Sequence, residues 1–94
     1  MGHVRVHGAD VAQGRIERLR VQMPNLPART IDRATALAWM KDGHSLLPVF
    51  GGSVQPALVL VEVGEDDQSF IRSDARAVAE DAVLALPPVD RAGI

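Results

Sequence analysis

The sequence predicts an α+β fold: a mostly antiparallel sheet of four to five strands, one main helix packed on one face, and a short helical turn near the C-terminus. Three observations carry this expectation. Residues 30–43 are the one stretch that reads as a full-length helix. Apolar runs of strand length stand before and after it, giving the order β-β-α-β-β-β. Gly, Pro, Asn and Asp punctuate the intervals between them. A helix laid on one face of a largely antiparallel sheet is the layered solution for such an order.

Taken in order, Val4-Arg5-Val6-His7 alternates apolar and polar residues, the mark of a half-buried strand. Turn chemistry is expected from Gly8 to Gly14. Arg15 to Met23 predicts a second strand, with a helix as the rival reading that Pro24 and the marginal length of the run disfavour. Ile16 and Leu19 break its alternation, and a bulge between them would restore Leu19, Val21 and Met23 to one face. The two prolines of Pro24-Asn25-Leu26-Pro27 mark a connector. In the helix, Thr30 is expected as N-cap with Asp32 beside the positive end of the dipole. Ala34, Leu37 and Ala38 share its buried flank with Ile31, and Gly43 is expected as the left-handed residue that ends it.

Ser45 to Phe50 predicts a short strand in which Pro48 argues for an edge or a bulge, and Gly51-Gly52-Ser53 predicts a turn. Residues 57–63 (Ala-Leu-Val-Leu-Val-Glu-Val) give the strongest strand signal. They are apolar on both faces, so a central, doubly covered position is expected. Residues 64–68 read as a polar hairpin connection and Ser69 to Ser73 as the returning strand. Residues 74–86 predict a loop and a short helix, and 89–94 a frayed tail. The 94 residues make one domain with its core at about 3–88.

Composition excludes several functions. The chain has no cysteine, which removes disulfides, thiolate zinc sites and cysteine nucleophiles and suits a reducing cytoplasm. A polar start follows Met1, and Pro or a charge interrupts every apolar run. Neither a cleaved signal nor a membrane span is therefore expected. Residues 1–47 hold seven Lys and Arg against four Asp and Glu, residues 48–94 three against eight, for a net charge of −2.

Three separated motifs stand in order: Met40-Lys41-Asp42-Gly43-His44, Phe70-Ile71-Arg72-Ser73-Asp74, and Asp81 followed by an apolar turn ending at Leu86-Pro87. In type and spacing the chain resembles, over residues 14–88, the small bacterial domains catalogued as family 3892 of the domains of unknown function. It differs from them in carrying Phe70 in place of tyrosine and Ala82 in place of asparagine. The resemblance implies a fold and no activity.

The chemistry-bearing residues point away from catalysis. His3 and His7 share a strand face but lie about 13 Å apart, and His44 follows a helix cap, so no metal site is expected. Glu65-Asp66-Asp67 lacks the spacing of a calcium loop. The glycines at 51 and 52 do not open a helix, so no phosphate nest is expected. No Ser-His-Asp order or carboxylate pair beside a histidine is present, and neither an enzyme nor a cofactor is expected. Arg15, Arg18 and Arg20 are candidates for a basic ribbon on the first hairpin. Arg72 is a candidate anion holder, with a structural pairing to Asp74, Asp81 or a helix C-terminus as the preferred role. These four arginines form the candidate binding surface. The expected function is a small cytoplasmic protein-protein interaction or accessory module, engaging an unknown protein partner or a second copy of itself. A nucleic-acid-associated regulator using the N-terminal arginines is the alternative; too few aromatics for base stacking and a pI of 5.8 stand against it.

Overall fold

A computed structural model describes residues 2–63, 68–74, 76, 80–83 and 86–92. Strands β1 (His3–Ala12), β2 (Arg15–Gln22) and β3 (Arg29–Asp32) precede helix α1 (Arg33–Lys41). Strands β4 (Ser45–Phe50), β5 (Ser53–Val54), β6 (Val59–Val63) and β7 (Gln68–Arg72) follow it, and a 3-10 turn spans Val89–Arg91. Five strands form one sheet in the order β3-β2-β1-β4-β5, and β6 and β7 form a separate two-stranded sheet. All pairings are antiparallel except β1 with β4. The fold is α+β with a mostly antiparallel sheet, as the sequence predicts.

Local chemistry explains the elements. Gln13 and Gly14 both take positive φ, 53° and 73°, as do Gly51 and Gly52 at 60° and 80°. Two consecutive positive φ values make the two-residue hairpin turn whose twist suits antiparallel strands. These turns close β1 on β2 and β4 on β5. The β1–β2 register slips between Asp10 and Val11, leaving Glu17 as the extra residue on β2. This bulge lets Ile16 and Leu19, three apart, both face the core at 2% and 0% exposure. A second slip leaves His7 as the extra residue on β1. The strand therefore runs through Gly8 to Ala12, where turn chemistry was expected.

The helix starts later than its sequence suggests. Thr30 and Ile31 lie in β3, paired with Arg20 and Leu19, because two β-branched residues gain more from the sheet edge. Asp32 is the N-cap, its Oδ1 accepting the Thr35 N–H at 2.8 Å. At the other end Gly43 has φ 94°. The His44 N–H donates to Trp39 O and the Gly43 N–H to Met40 O, the paired bonds of a Schellman cap. Ala36 is the buried centre of α1, with Leu37, Trp39 and Met40 at its margins. Ala34 and Ala38, expected on the buried flank, face solvent.

One face of the five-stranded sheet supplies the core. Val4, Val6, Leu19, Val21 and Leu46 cluster with Ala36 of α1 and with Leu58 and Ile71 of the β6–β7 unit. Helix and hairpin thus share that face. Residues 57–63 are not the central strand expected of them: β6 begins at Val59, pairs only with β7 and is half-buried along its apolar length. Only Leu58 is fully covered, at 4% exposure. The aliphatic run was misleading because Leu58 and Leu60 alone join the main core, while the valines share the other face with the buried Phe70 and stay half-buried.

The opposite face is half covered. β4 pairs with β1 only from His3 to Val6; beyond it the chain at Pro87 takes the vacated edge, its carbonyl accepting the Ala9 N–H at 2.9 Å. Gly8 makes room, since a Cβ there would lie 2.9 Å from Ala92 Cβ and 3.0 Å from Pro87 O. The Val89 N–H then donates to Asp10 Oδ1 at 2.9 Å, and Val89 is 6% exposed. The tail expected from residue 89 is therefore part of the packed structure as far as Ala92. The connection at 64–67 lies outside the described residues, as do 75, 77–79 and 84–85; the short helix expected within 74–86 is not found at the described residues 80–83 and 86, where the chain is non-helical. Within that span Ala82 is extended, in a parallel bridge to Arg72.

Candidate functional site

The four candidate arginines do not form one surface. Arg18 lies on the solvent side of β2 and is ion-paired with Asp10, with Asp90 4.0 Å away. Arg20, two residues on, donates to Thr30 Oγ1 at 3.1 Å. Arg15, at the hairpin end of the strand, places its guanidinium 5.4 Å from the Phe70 ring centroid, within cation–π range. Arg72 is 6% exposed and fully engaged: Nε and a terminal nitrogen donate to the two carboxylate oxygens of Asp74 at 2.7 and 3.2 Å, and the other terminal nitrogen to Glu80 O at 2.8 Å. A bidentate fork with a third acceptor is the structural pairing expected for Arg72.

The strongest electrostatic centre is Asp81, which the sequence offered only as a partner for Arg72; its actual partner, Arg33, was not singled out. Asp81 has a fully buried side chain and accepts four hydrogen bonds: from Ile16 N–H (2.8 Å), Ile71 N–H (2.9 Å), Arg33 Nε (2.7 Å) and an Arg33 terminal nitrogen (3.0 Å). Its own N–H donates to Gly14 O at 2.8 Å. The carboxylate thus ties β2, β7 and the first residue of α1, and the backbone of the same residue ties the β1–β2 turn. Desolvation pushes the Asp81 carboxyl upward. The Arg33 guanidinium and the two N–H donors outweigh it and hold the group below the usual carboxylate range. Arg33 also donates to Ser69 O at 2.8 Å and lies 5.7 Å from the Phe70 centroid. The sequence signal was faint: an Arg at the first helical position and an isolated Asp forty-eight residues later.

The histidines are not brought together. His44 Nδ1 accepts the Gly2 N–H at 3.0 Å, and the ring meets Trp39 edge to face at 6.3 Å between centroids. His7 stands at the β1 bulge with Nε2 buried and unpartnered, and desolvation, then the charge of Arg5, lowers its pKa despite the Gln22 side chain. Among the described residues no three His, Asp or Glu groups are spaced to hold a metal ion.

A cleft of about 670 Å³ opens between β1 and the returning chain, lined by Asp10, Glu17, Glu80, Asp81, Val11 and Leu86. Two of its carboxylates are already committed, Asp10 to Arg18 and Val89, Asp81 as above. Of the exposed large apolar side chains among the described residues, Val11 lines this cleft and Leu26 lies in the connection between β2 and β3; the other two flank the second hairpin turn. Phe50 and Val54, on either side of the Gly51-Gly52 turn, are 53% and 50% exposed; Phe50 pairs with Ser53 and Val54 with the half-buried Val49, so the two side chains lie on opposite faces of the hairpin. The uncovered part of the second sheet face brings Arg5 of β1 opposite Leu47 of β4.

No family model, curated protein or solved structure matches this chain. Among the described residues no helix is long and apolar enough to cross a membrane.

Proposed function

We propose that this chain is a small cytoplasmic interaction module, without catalytic activity of its own, that engages a protein partner through the apolar tip of its main sheet. The observation that carries the proposal is the exposure of Phe50 and Val54 on the two faces of a hairpin closed by a two-residue turn. Large apolar side chains held at a strand end cost solvation and are suited to burial against another protein. The nucleic-acid alternative has less support, because Arg18 and Arg72 are paired with carboxylates and Arg15 and Arg20 point to different neighbours. Membership among the small bacterial domains of family 3892 belongs to the same proposal and adds no activity to it.

The test compares the wild-type chain with the double variant Phe50→Ser, Val54→Ser as tagged baits in cells of its source. A specific protein is expected on the wild type and lost from the variant, with the melting midpoint unchanged. Equal recovery on both baits would move the interaction to another surface.

A further inference from the structure

We infer that the outer edge of β6 is a self-association interface that takes β6 of a second copy of this chain. The inference rests on the module acting through protein contacts, but it concerns a surface separate from Phe50 and Val54.

The hydrogen-bond directions of the hairpin fix which groups are free. Ile71 gives its N–H to Asp81 and its carbonyl accepts from Ala82, and the Ser69 carbonyl accepts from Arg33. Both residues therefore point their backbone groups away from β6. In an antiparallel pair the partner residues then point away as well, so Leu60, opposite Ile71, and Glu62, opposite Ser69, direct N–H and C=O outward from the edge. The Leu58 N–H has the same direction and is occupied by Leu46 O at 2.8 Å. Among the described residues nothing on the backbone pairs with Leu60 or Glu62 at this edge.

Sequence symmetry selects the occupant. A two-fold axis through Val61 sets Leu60 opposite Glu62 of the second copy and Glu62 opposite its Leu60. Those are the residues whose groups face outward, so both pairs become hydrogen-bonded. Val61 then faces Val61, and Val59 faces Val63 twice, giving three β-branched pairs across the interface. No two glutamates are directly opposed. A shift toward the strand start would need the Leu58 N–H, which β4 already holds. The product is a four-stranded antiparallel sheet, β7-β6-β6-β7, made from two hairpins that are each short of the three strands a sheet normally needs. It also covers an edge that carries neither Lys nor Pro between residues 59 and 63.

The chain has no native cysteine, so single cysteines report the register directly. In the proposed pairing the two Val61 Cα atoms are about 4.5 Å apart, within disulfide reach, whereas the two Val59 positions are about 13 Å apart. Under mild oxidation Val61→Cys is expected to form a covalent dimer and Val59→Cys none. Sedimentation should show Glu62→Pro, which removes an outward N–H unused within one copy, weakening the dimer by about tenfold or more. Glu62→Lys, facing a leucine in either case, should leave it intact. If Glu62→Pro fails to fold, Val61→Lys, which sets like charges on the axis, replaces it. A chain that stays monomeric, a dimer that cross-links through Val59, or an edge that takes only an extended segment of another protein overturns the inference. None of these outcomes bears on Phe50 and Val54, whose variant tests the broader proposal separately.

Discussion

Asp81 shows how much one side chain can organise in a chain of this size. Its carboxylate satisfies two strand N–H groups and neutralises Arg33; removing it leaves both N–H groups unpaired in the interior and Arg33 with only the Ser69 carbonyl. Asp81→Ala is expected to cost about 3–5 kcal/mol, a large share of the 5–15 kcal/mol typical of a domain, measured by denaturant unfolding. The pH dependence has a definite sign. Asp81 titrates lower when folded than when unfolded, so its stabilisation is present above its unfolded value of about 3.9 and is lost as pH falls through the folded value. Asp10, Asp32 and Asp74 are depressed too, by the Val89 N–H, the Thr35 N–H and Arg72 respectively. Stability should therefore decline below about pH 4 in the wild type and decline less steeply, without vanishing, in Asp81→Asn. An identical acid limb in both proteins would remove Asp81 from this role. Arg72→Lys should also lower the melting midpoint, because an ammonium cannot reproduce the two-pronged bond to Asp74 together with the bond to Glu80 O. An unchanged midpoint with phosphate-dependent stabilisation of the wild type alone would instead make Arg72 an anion site.

Among the elements, those set by local signals were legible and those set by tertiary competition were not. The β2 bulge could be read because Ile16 and Leu19 sit at a spacing no regular strand tolerates. The helix C-terminus could be read because Gly43 is the one residue there that takes φ 94° without strain. Gly43→Ala should cost about 1 kcal/mol and Gly43→Val more, read as a shift in unfolding midpoint. The helix N-terminus was misplaced because Thr30 caps helices and fills strands equally well; pairing of Ile31 with Leu19 decides for the strand. The exile of residues 59–63 from the main sheet had no local signature, since a buried strand and a half-covered hairpin can share one aliphatic run. Gly8 looked like a turn because its actual reason lies eighty residues away, in the chain at 87–92 that crosses over it. Gly8→Val should cost about 1–3 kcal/mol by overpacking against that segment, and truncation after Pro88, which removes Ala92 but leaves the Pro87 and Pro88 carbonyls in place, should relieve only part of the loss.

Across the whole molecule, ion pairs join the elements and some large apolar side chains are left outward. The paired arginines hold strands, helix and returning chain together, while Phe50, Val54 and the β6 valines remain exposed or half-exposed. The candidate site was legible in the sequence only as a list of arginines; that two of them pair with acids could be expected for Arg72 and not for Arg18, whose partner Asp10 sits across a hairpin. This division of surface is what makes protein contact the better reading than phosphate contact. Sedimentation of the wild-type protein at low and high salt, alone and with a short labelled duplex, tests it most directly. Association through apolar strands should be unchanged or strengthened by salt, and the duplex should sediment as if the protein were absent. A duplex that travels with the protein at low salt and is released steeply as salt rises would show that phosphates are being neutralised, and would contradict the account.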